Sequence, residues 1–175
     1  MVKTYFTADH HFDHARIIEY AGRRFASVER MNQAMLQRWN ETVGPEDTVY
    51  HLGDFALASA GRIAELVAAL NGYKIVIVGN HDRSPKRMVE LGFDEAYREA
   101  EYEGWRLVHE PPGDPGRRTL CAHVHGLWSW RGTMQYPQIN VGVDVCGYRP
   151  RTLQEIAGCA AGSSRATDDF SPEAL

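Results

Sequence analysis

The run Ile75-Val76-Ile77-Val78 leads directly into Gly79-Asn80-His81-Asp82. Uninterrupted β-branched residues read as a buried strand, and loops at strand ends are where α/β proteins place their chemistry. Here the loop sets a glycine, an amide oxygen, an imidazole and a carboxylate side by side. Alone they would be an ordinary polar turn. Four other blocks share the arrangement: Asp9 and His11 after the β-prone Thr4 to Thr7, then Gly53-Asp54, His109, and His123-Val124-His125, each at or beside a β-like run. Ligand-type side chains at the ends of several strands predict a metal site assembled in space.

The spacing of apolar residues supports an alternation of strands and helices. Residues 2–8 are β-prone. Ser27 is an N-cap candidate for a helix whose apolar stripe is Val28, Met31, Met35, Leu36 and Trp39. Gly44-Pro45 stops that helix. Thr48 to Leu52 forms a short strand before Gly53-Asp54. Ser59 caps the next helix, with Ile63, Leu66, Val67 and Leu70 on one face, and Asn71-Gly72 ends it. After the strand 74–78, Ser84-Pro85 provides a cap with proline at the first helical position, and Gly92 closes that helix. Beyond it the chain is strand-rich, over 94–100, 105–109, 119–122 and 138–143, with a loop from Pro111 to Gly116. Thr152 and Glu155 form a capping box for a last short helix. The class is α/β, with a mixed sheet or two packed sheets. Residues 1–158 are expected to form one domain, and 159–175, small, polar and acidic, a flexible tail.

A chain of 175 residues can bury a sizeable core. Its formal net charge of -4 excludes a global basic field for nucleic acid, although a metal centre would supply positive charge locally to a nucleotide. Cys121, Cys146 and Cys159 are an odd count at unrelated spacings, which suggests a reducing compartment and small buried apolar residues. No apolar run approaches the length of a bilayer span, and the chain opens on a strand rather than a signal-like segment. The expectation is a soluble cytoplasmic protein without a membrane partner.

Carboxylate, imidazole and amide oxygen suit Mn, Fe, Zn or Ni. Asp9, His11, Asp54, Asn80, His109, His123 and His125 offer seven such side chains, more than the roughly four that a closed zinc site needs. Two cations about 3.5–4 Å apart, bridged by one carboxylate and one hydroxide, would aim that hydroxide at phosphorus. His81 is left over as a candidate general acid for the leaving alkoxide, with Asp82 as its orienting partner. In an extended strand His123 and His125 would point to one face and serve the two cations as neighbours.

In this order the blocks resemble the calcineurin-like metallophosphoesterases: Asp9-His10-His11 as Asp-x-His, Gly53-Asp54, Gly79-Asn80-His81-Asp82, a lone His109 and His123-Val124-His125, from about residue 3 to 157. The resemblance implies an α/β fold, a two-sheet mixed β-sandwich flanked by helices, with the site on strand-end loops. It implies two divalent metal ions, manganese favoured. Asp9, His11 and His125 would hold the first, Asn80, His109 and His123 the second, Asp54 would bridge, and His81 would contact the phosphate. Ala122 stands where the family usually has glycine, and is small enough for ligation to survive. Asn140-Val141-Gly142-Val143-Asp144 and Tyr148-Arg149-Pro150 are similar to small bacterial or phage-type members. The Asp-Arg-Gly triplet of the protein Ser/Thr phosphatases is missing, since Phe55-Ala56-Leu57-Ala58 follows Asp54. The implied activity is a phosphodiesterase that hydrolyses small phosphodiesters or nucleotides by attack of a metal-bridging hydroxide. A phosphomonoesterase of the same fold and a non-catalytic metal-binding scaffold are the alternatives.

The remaining polar residues divide by context. His10 should point away from His11, and His51, beside Leu52, reads as structural. His14, Arg23 and Arg149 could reach phosphate oxygens, although the surface is the commoner fate of arginine. Trp128 and Trp130 could stack on a base, wall the cleft or pack into the core.

Overall fold

Side-chain alternation along three strands sets the layers. In β1 (Thr4–Thr7), β2 (Thr48–His51) and β3 (Tyr73–Ile77), successive residues face opposite ways. Tyr5, Val49 and Val76 join one apolar cluster, whereas Phe6, Leu52 and Ile77 join another. Both faces therefore need cover. The computed structural model, which describes residues 1–113 and 116–160, covers one face with helices and the other with a second sheet.

The helical side is built from α1 (Ile17–Tyr20), α2 (Val28–Thr42), α3 (Ala60–Ala68) and α4 (Pro85–Glu90). Ser27, Ser59 and Ser84 cap the last three by accepting from the backbone N–H of Arg30, Arg62 and Arg87. Each cap contributes about 1 kcal/mol. Met31, Met35 and Trp39 of α2, with Ile63, Leu66 and Val67 of α3, are the helices' main contribution to the cluster against the first sheet. Trp39 is fully buried, and its indole N–H donates to the Asn71 carbonyl at 3.0 Å.

The first sheet has the order β10-β1-β2-β3-β4, with β4 at Glu95–Tyr97 and β10 at Arg151–Thr152. Strands β1 to β4 are parallel, and β10 runs antiparallel to β1. The second sheet comprises β5 (Ala100–Tyr102), β6 (Trp105–Leu107), β7 (Thr119–Cys121), β8 (Trp130–Gly132) and β9 (Pro137–Asn140), in the order β5-β6-β7-β9-β8. Its inner strands are parallel and its edges antiparallel. Phe6, Leu52, Ile77, Leu107, Leu120 and Ile139 interdigitate between the sheets, and α5 (Leu153–Ala160) adds Ile156. This is the two-sheet mixed sandwich that the family resemblance implies.

Two expectations change. The run 94–100 is two strands rather than one: β4 belongs to the first sheet and β5 to the second, so the chain changes layer between them. The elements α1, β5, β8 and β10 are too short to leave a periodic signal. The last helix runs from Leu153 to Ala160, and of the tail expected over 159–175 the part from 161 onward lies outside the described residues. Among the described residues no helix is long and apolar enough to cross a membrane. Cys121 and Cys146 are buried, as expected, and burial pushes the Cys121 thiol up to about 12.

Replacing Trp39 with alanine removes a fully buried indole and its hydrogen bond. The expected cost is about 3–5 kcal/mol, read as a lower midpoint in urea unfolding.

Candidate metal centre

Parallel register brings the strand exits level. Thr7 pairs with His51, and His51 with Val76. The loops carrying Asp9, Asp54 and Asn80 therefore leave the sheet side by side. Backbone bonds hold the first two together, from Asp9 N to Gly53 O (3.0 Å) and from His11 N to Asp54 O (3.0 Å). From the second sheet His109 follows β6, while His123 and His125 follow β7. Past β9 the chain crosses between sheets: Val141 N donates to Cys121 O and Val143 N to Ala8 O. That crossing stitches the two layers together at the end where the candidate ligands lie.

All seven ligand candidates meet there, in two overlapping groups. Asp9, His11 and Asp54 bring ligand atoms within 4.8 Å of one another, and so do Asp54, His109 and His123. Asp54 belongs to both. Its Oδ2 lies 3.4 Å from His11 Nε2 and 3.4 Å from His109 Nε2. Asn80 Oδ1 completes the second group, 3.0 Å from His109 Nε2 and 3.0 Å from His123 Nδ1. The His125 ring lies 5.2 Å from that of His11, beside the first group. His109 Nδ1 is bonded to the Leu52 carbonyl at 2.7 Å, which fixes the tautomer with Nε2 as a lone-pair donor toward the group.

The donor set fits divalent cations. Asp9 Oδ1 and both ring nitrogens of His11 are buried without a hydrogen-bond partner. Buried polar atoms of that kind are rare unless an ion or water satisfies them. Nitrogen and oxygen donors without thiolate suit Mn, Fe, Zn or Ni.

Backbone strain is concentrated at the same place. Asp9 (φ 57), His11 (φ 50), Asp54 (φ 56), His123 (φ 70) and His125 (φ 48) are all left-handed, a conformation that costs non-glycine residues about 1–3 kcal/mol each. Such strain turns side chains inward where regular strands would not. His123 and His125 are therefore not neighbours on one strand face, as their alternation suggests. They sit on a tight loop after β7 ends at Cys121. Two glycines permit the closest approach: a Cβ on Gly53 would lie 2.6 Å from Gly79 N, and one on Gly79 would collide with Asp54 Oδ1.

The electrostatics follow from burial. Asp9 is pushed up to about 7 by desolvation, against the lowering effect of His109 and His125. Burial also acts against charge on His109, but its hydrogen bond to Asp54 and the Asp54 and Asp9 charges prevail and raise it to about 9. Asp54 goes the other way: despite burial, the hydrogen bond and charge of His109, the His81 N–H and the His11 charge hold it below the carboxylate range. Desolvation drives His11 well down. Without a cation, then, imidazolium and carboxylate neutralise each other across the gap.

Several supporting residues have roles that the sequence did not disclose. Asp82 does not orient His81, as expected of it. Its Oδ2 accepts from Asp54 N (2.7 Å) and Gly79 N (2.9 Å), and its Oδ1 from Phe55 N (3.0 Å). It therefore ties the β2 and β3 exits together. Asp144 accepts from His125 Nδ1 at 2.9 Å, which holds the ring 5.2 Å from that of His11 and leaves Nε2 unengaged by that bond. Asp144 is held in turn by Arg23, whose Nε and Nη2 reach it at 2.8 and 3.0 Å. Arg23 also donates to the carbonyls of Asp9 and His10. It is buried, neither at the surface nor free for phosphate. Asn140 donates to the His125 and Trp128 carbonyls and so fixes that loop. The run from Asn140 to Asp144 was the available signal.

His10 is fully buried and bonded to His51, which also accepts from Gly53 N, so both are structural. His81 is exposed, with its ring edge-on to His11 at 5.3 Å and its N–H donating to Asp54 Oδ1 at 2.9 Å. His14 lies 5.4 Å from His11 and 6.4 Å from His81 between ring centroids. Arg149 pairs with Glu155. Trp130 packs on the inter-sheet core, and Trp128 lies under the Arg131 guanidinium. Ala122 is buried in that core.

Two outcomes are expected. Because Asp9 and His109 keep protons up to about 7 and about 9, cation binding must displace them. Affinity for Mn²⁺ should rise between about pH 6 and 9, with protons released in calorimetry across buffers of different ionisation enthalpy. Asp144→Asn should weaken Mn²⁺ binding about 10–100-fold in competition with a chelating dye, while the far-UV CD spectrum stays unchanged.

Known proteins give the arrangement its relatives. The family model described as calcineurin-like phosphoesterase matches residues 2–147. An uncharacterized protein of Methanocaldococcus jannaschii is 36% identical over 167 residues, spanning 89% of this chain and 90% of its own. The Gene 66 protein of Mycobacterium phage L5 is 38% identical over 86 residues, 47% of this chain and 41% of its own. Among solved structures, a protein of unknown function from Aquifex aeolicus has a TM-score of 0.69 at 28% identity, covering 91% of this chain and 100% of that one. A nuclease of Pseudomonas putida shares the fold, with a TM-score of 0.52 at 22% identity over 79% of this chain and 72% of its own. The chain belongs to the calcineurin-like phosphoesterase family, and is a metal-dependent phosphoester hydrolase.

Proposed function

We propose that the chain hydrolyses small phosphodiesters or nucleotides at a dinuclear centre, with Mn²⁺ as the favoured ion. Asp9, His11, Asp54 and His125 would hold one ion, and Asp54, Asn80, His109 and His123 the other. The observation that carries this reading is the Asp54 carboxylate common to both groups of ligand atoms. When bound, the ions would neutralise phosphate charge and lower the pKa of a water held between them.

The chain's own groups do the rest. The Leu52 carbonyl fixes His109, and Asp144 fixes His125, so both imidazoles present a set nitrogen without reorganising. Asp82 locks the loops that carry Asp54 and Asn80. His81 stands at the open edge, its backbone held by Asp54 while its ring stays exposed. From there its imidazole would donate a proton to the departing alkoxide. Arg23 Nε, Nη1 and Nη2 all bond within the protein, so the guanidinium behind Asp9 serves the fold and not the substrate.

With a thymidine dinucleotide, whose leaving alkoxide needs a proton, and Mn²⁺, His81→Ala should lower turnover by roughly 10²–10⁴-fold while metal content is unchanged. Asp54→Asn should lower occupancy of both ions in elemental analysis. Unchanged turnover in the first variant would remove His81 as the acid, and full occupancy in the second would remove the shared carboxylate.

A further inference from the structure

Arg98 occupies the crossover between the two sheets, between β4 and β5. Its position is fixed from below, because Val78 N donates to Tyr97 O at 2.8 Å. Val78 itself leads into Gly79 and Asn80. Arg98 is thus anchored one residue from a bond to the strand that delivers the second group of ligand candidates. Between them lies a cavity of about 320 Å³ whose wall includes Gly79, Asn80, His109, Arg98 and Glu110. That is the low end of small-ligand pockets, roughly 300–1,000 Å³, room for a phosphate with part of a sugar rather than a whole dinucleotide.

The charges around Arg98 are already committed elsewhere. Glu95 accepts from the hydroxyls of Tyr73 and Tyr97. Glu99 forms a two-point bridge with Arg106, and Glu101 pairs with Arg117. Among the described residues Arg98 has no ion-pair partner, although it is exposed and shares the cavity wall with the carboxylate of Glu110. A guanidinium kept free at the edge of a phosphoryl-transfer centre, in a chain of net charge -4, is a local anion site.

We propose that this cavity binds a second phosphate group of the substrate, adjacent to the one cleaved, and that Arg98 is its ligand. The substrate class is then a molecule with two neighbouring phosphates, either a 5′-phosphorylated oligonucleotide or a nucleoside polyphosphate. Glu110 limits the affinity by repulsion and disfavours chains with a higher density of charge. The proposal rests on the phosphodiesterase reading for its chemistry, but the binding of the second phosphate is measurable without turnover.

The test uses the Mn²⁺-loaded protein, Arg98→Ala and Glu110→Gln. In calorimetry, wild type should prefer pyrophosphate over orthophosphate. Arg98→Ala should weaken pyrophosphate about tenfold and leave orthophosphate unchanged, while Glu110→Gln should tighten pyrophosphate. In kinetics, Arg98→Ala should lower kcat/KM about tenfold on a 5′-phosphorylated thymidine dinucleotide. The unphosphorylated dinucleotide and bis(4-nitrophenyl) phosphate should be unaffected. Adenosine diphosphate in a parallel assay separates the polyphosphate source from the oligonucleotide source. An equal loss on all substrates, or an unchanged pyrophosphate preference in Arg98→Ala, overturns the proposal. Arg98-dependent pyrophosphate binding without hydrolysis of any diester upholds the cavity and removes the phosphodiesterase reading instead.

Discussion

Three parallel strands that end at one level are the constraint on which the rest depends. With Thr7, His51 and Val76 in register, the loops after β1, β2 and β3 place Asp9, Asp54 and Asn80 on one front. A one-residue slip would turn Phe6, Leu52 and Ile77 out of the inter-sheet core and carry the polar loops with them. Burial of those side chains, each about 1.5–3 kcal/mol, therefore also sets the positions of the candidate ligands. The carboxylate of Asp82 secures the same alignment locally, by accepting backbone N–H groups from both the β2 and β3 exits.

Against this rigid base the centre itself is unfavourable. Five left-handed residues crowd it, and Asp9 and His11 bury atoms that no protein group satisfies. Strain and desolvation of this size survive only where the surroundings over-determine the conformation. Here they do: two apolar clusters flank the first sheet, and the crossing after β9 bonds one layer to the other. Arg23 adds a polar clamp, joining the carbonyls of Asp9 and His10 to Asp144 and through it to His125. Two loops far apart in sequence are coupled by one buried guanidinium. A divalent cation would relieve the misplaced protons and orphaned lone pairs, so the metal-free state is strained toward binding.

The ligand candidates were legible because each block pairs a turn-forming residue with a donor at the end of an apolar run, and strand ends are where such donors can converge. The helices from Val28, Ala60 and Pro85 were equally legible, since serine caps and apolar stripes are local signals. What escaped was information carried only by tertiary neighbours. Residues 94–100 look like one strand because β-propensity does not say which sheet a residue joins. Arg23 looked like a surface residue because burial of a guanidinium depends on Asp144, which is 121 residues away. Asp82 looked like a partner for its neighbour His81, but a carboxylate next to a glycine loop is also well placed to gather backbone N–H groups. The strand alternation at His123 and His125 failed because left-handed backbone ends the strand before them.

Net charge and substrate charge oppose each other only at long range. A chain of charge -4 offers no long-range attraction to a phosphate anion. Beyond a Debye length, about 8 Å at physiological salt, that bulk charge is largely screened. Inside it, the surroundings differ from the average: Glu95, Glu99 and Glu101 are tied up by neighbours, and Asp54 and Asp9 face imidazoles. Recognition at this surface must then be short-ranged and set by contact, with little help from steering. With a second phosphate held at Arg98, as proposed, such a centre would select by the number and spacing of phosphates that reach it, because each additional contact requires desolvation of its own partner. The arrangement of charges close to Asn80 and His109, rather than the overall sign of the molecule, decides which anions are held.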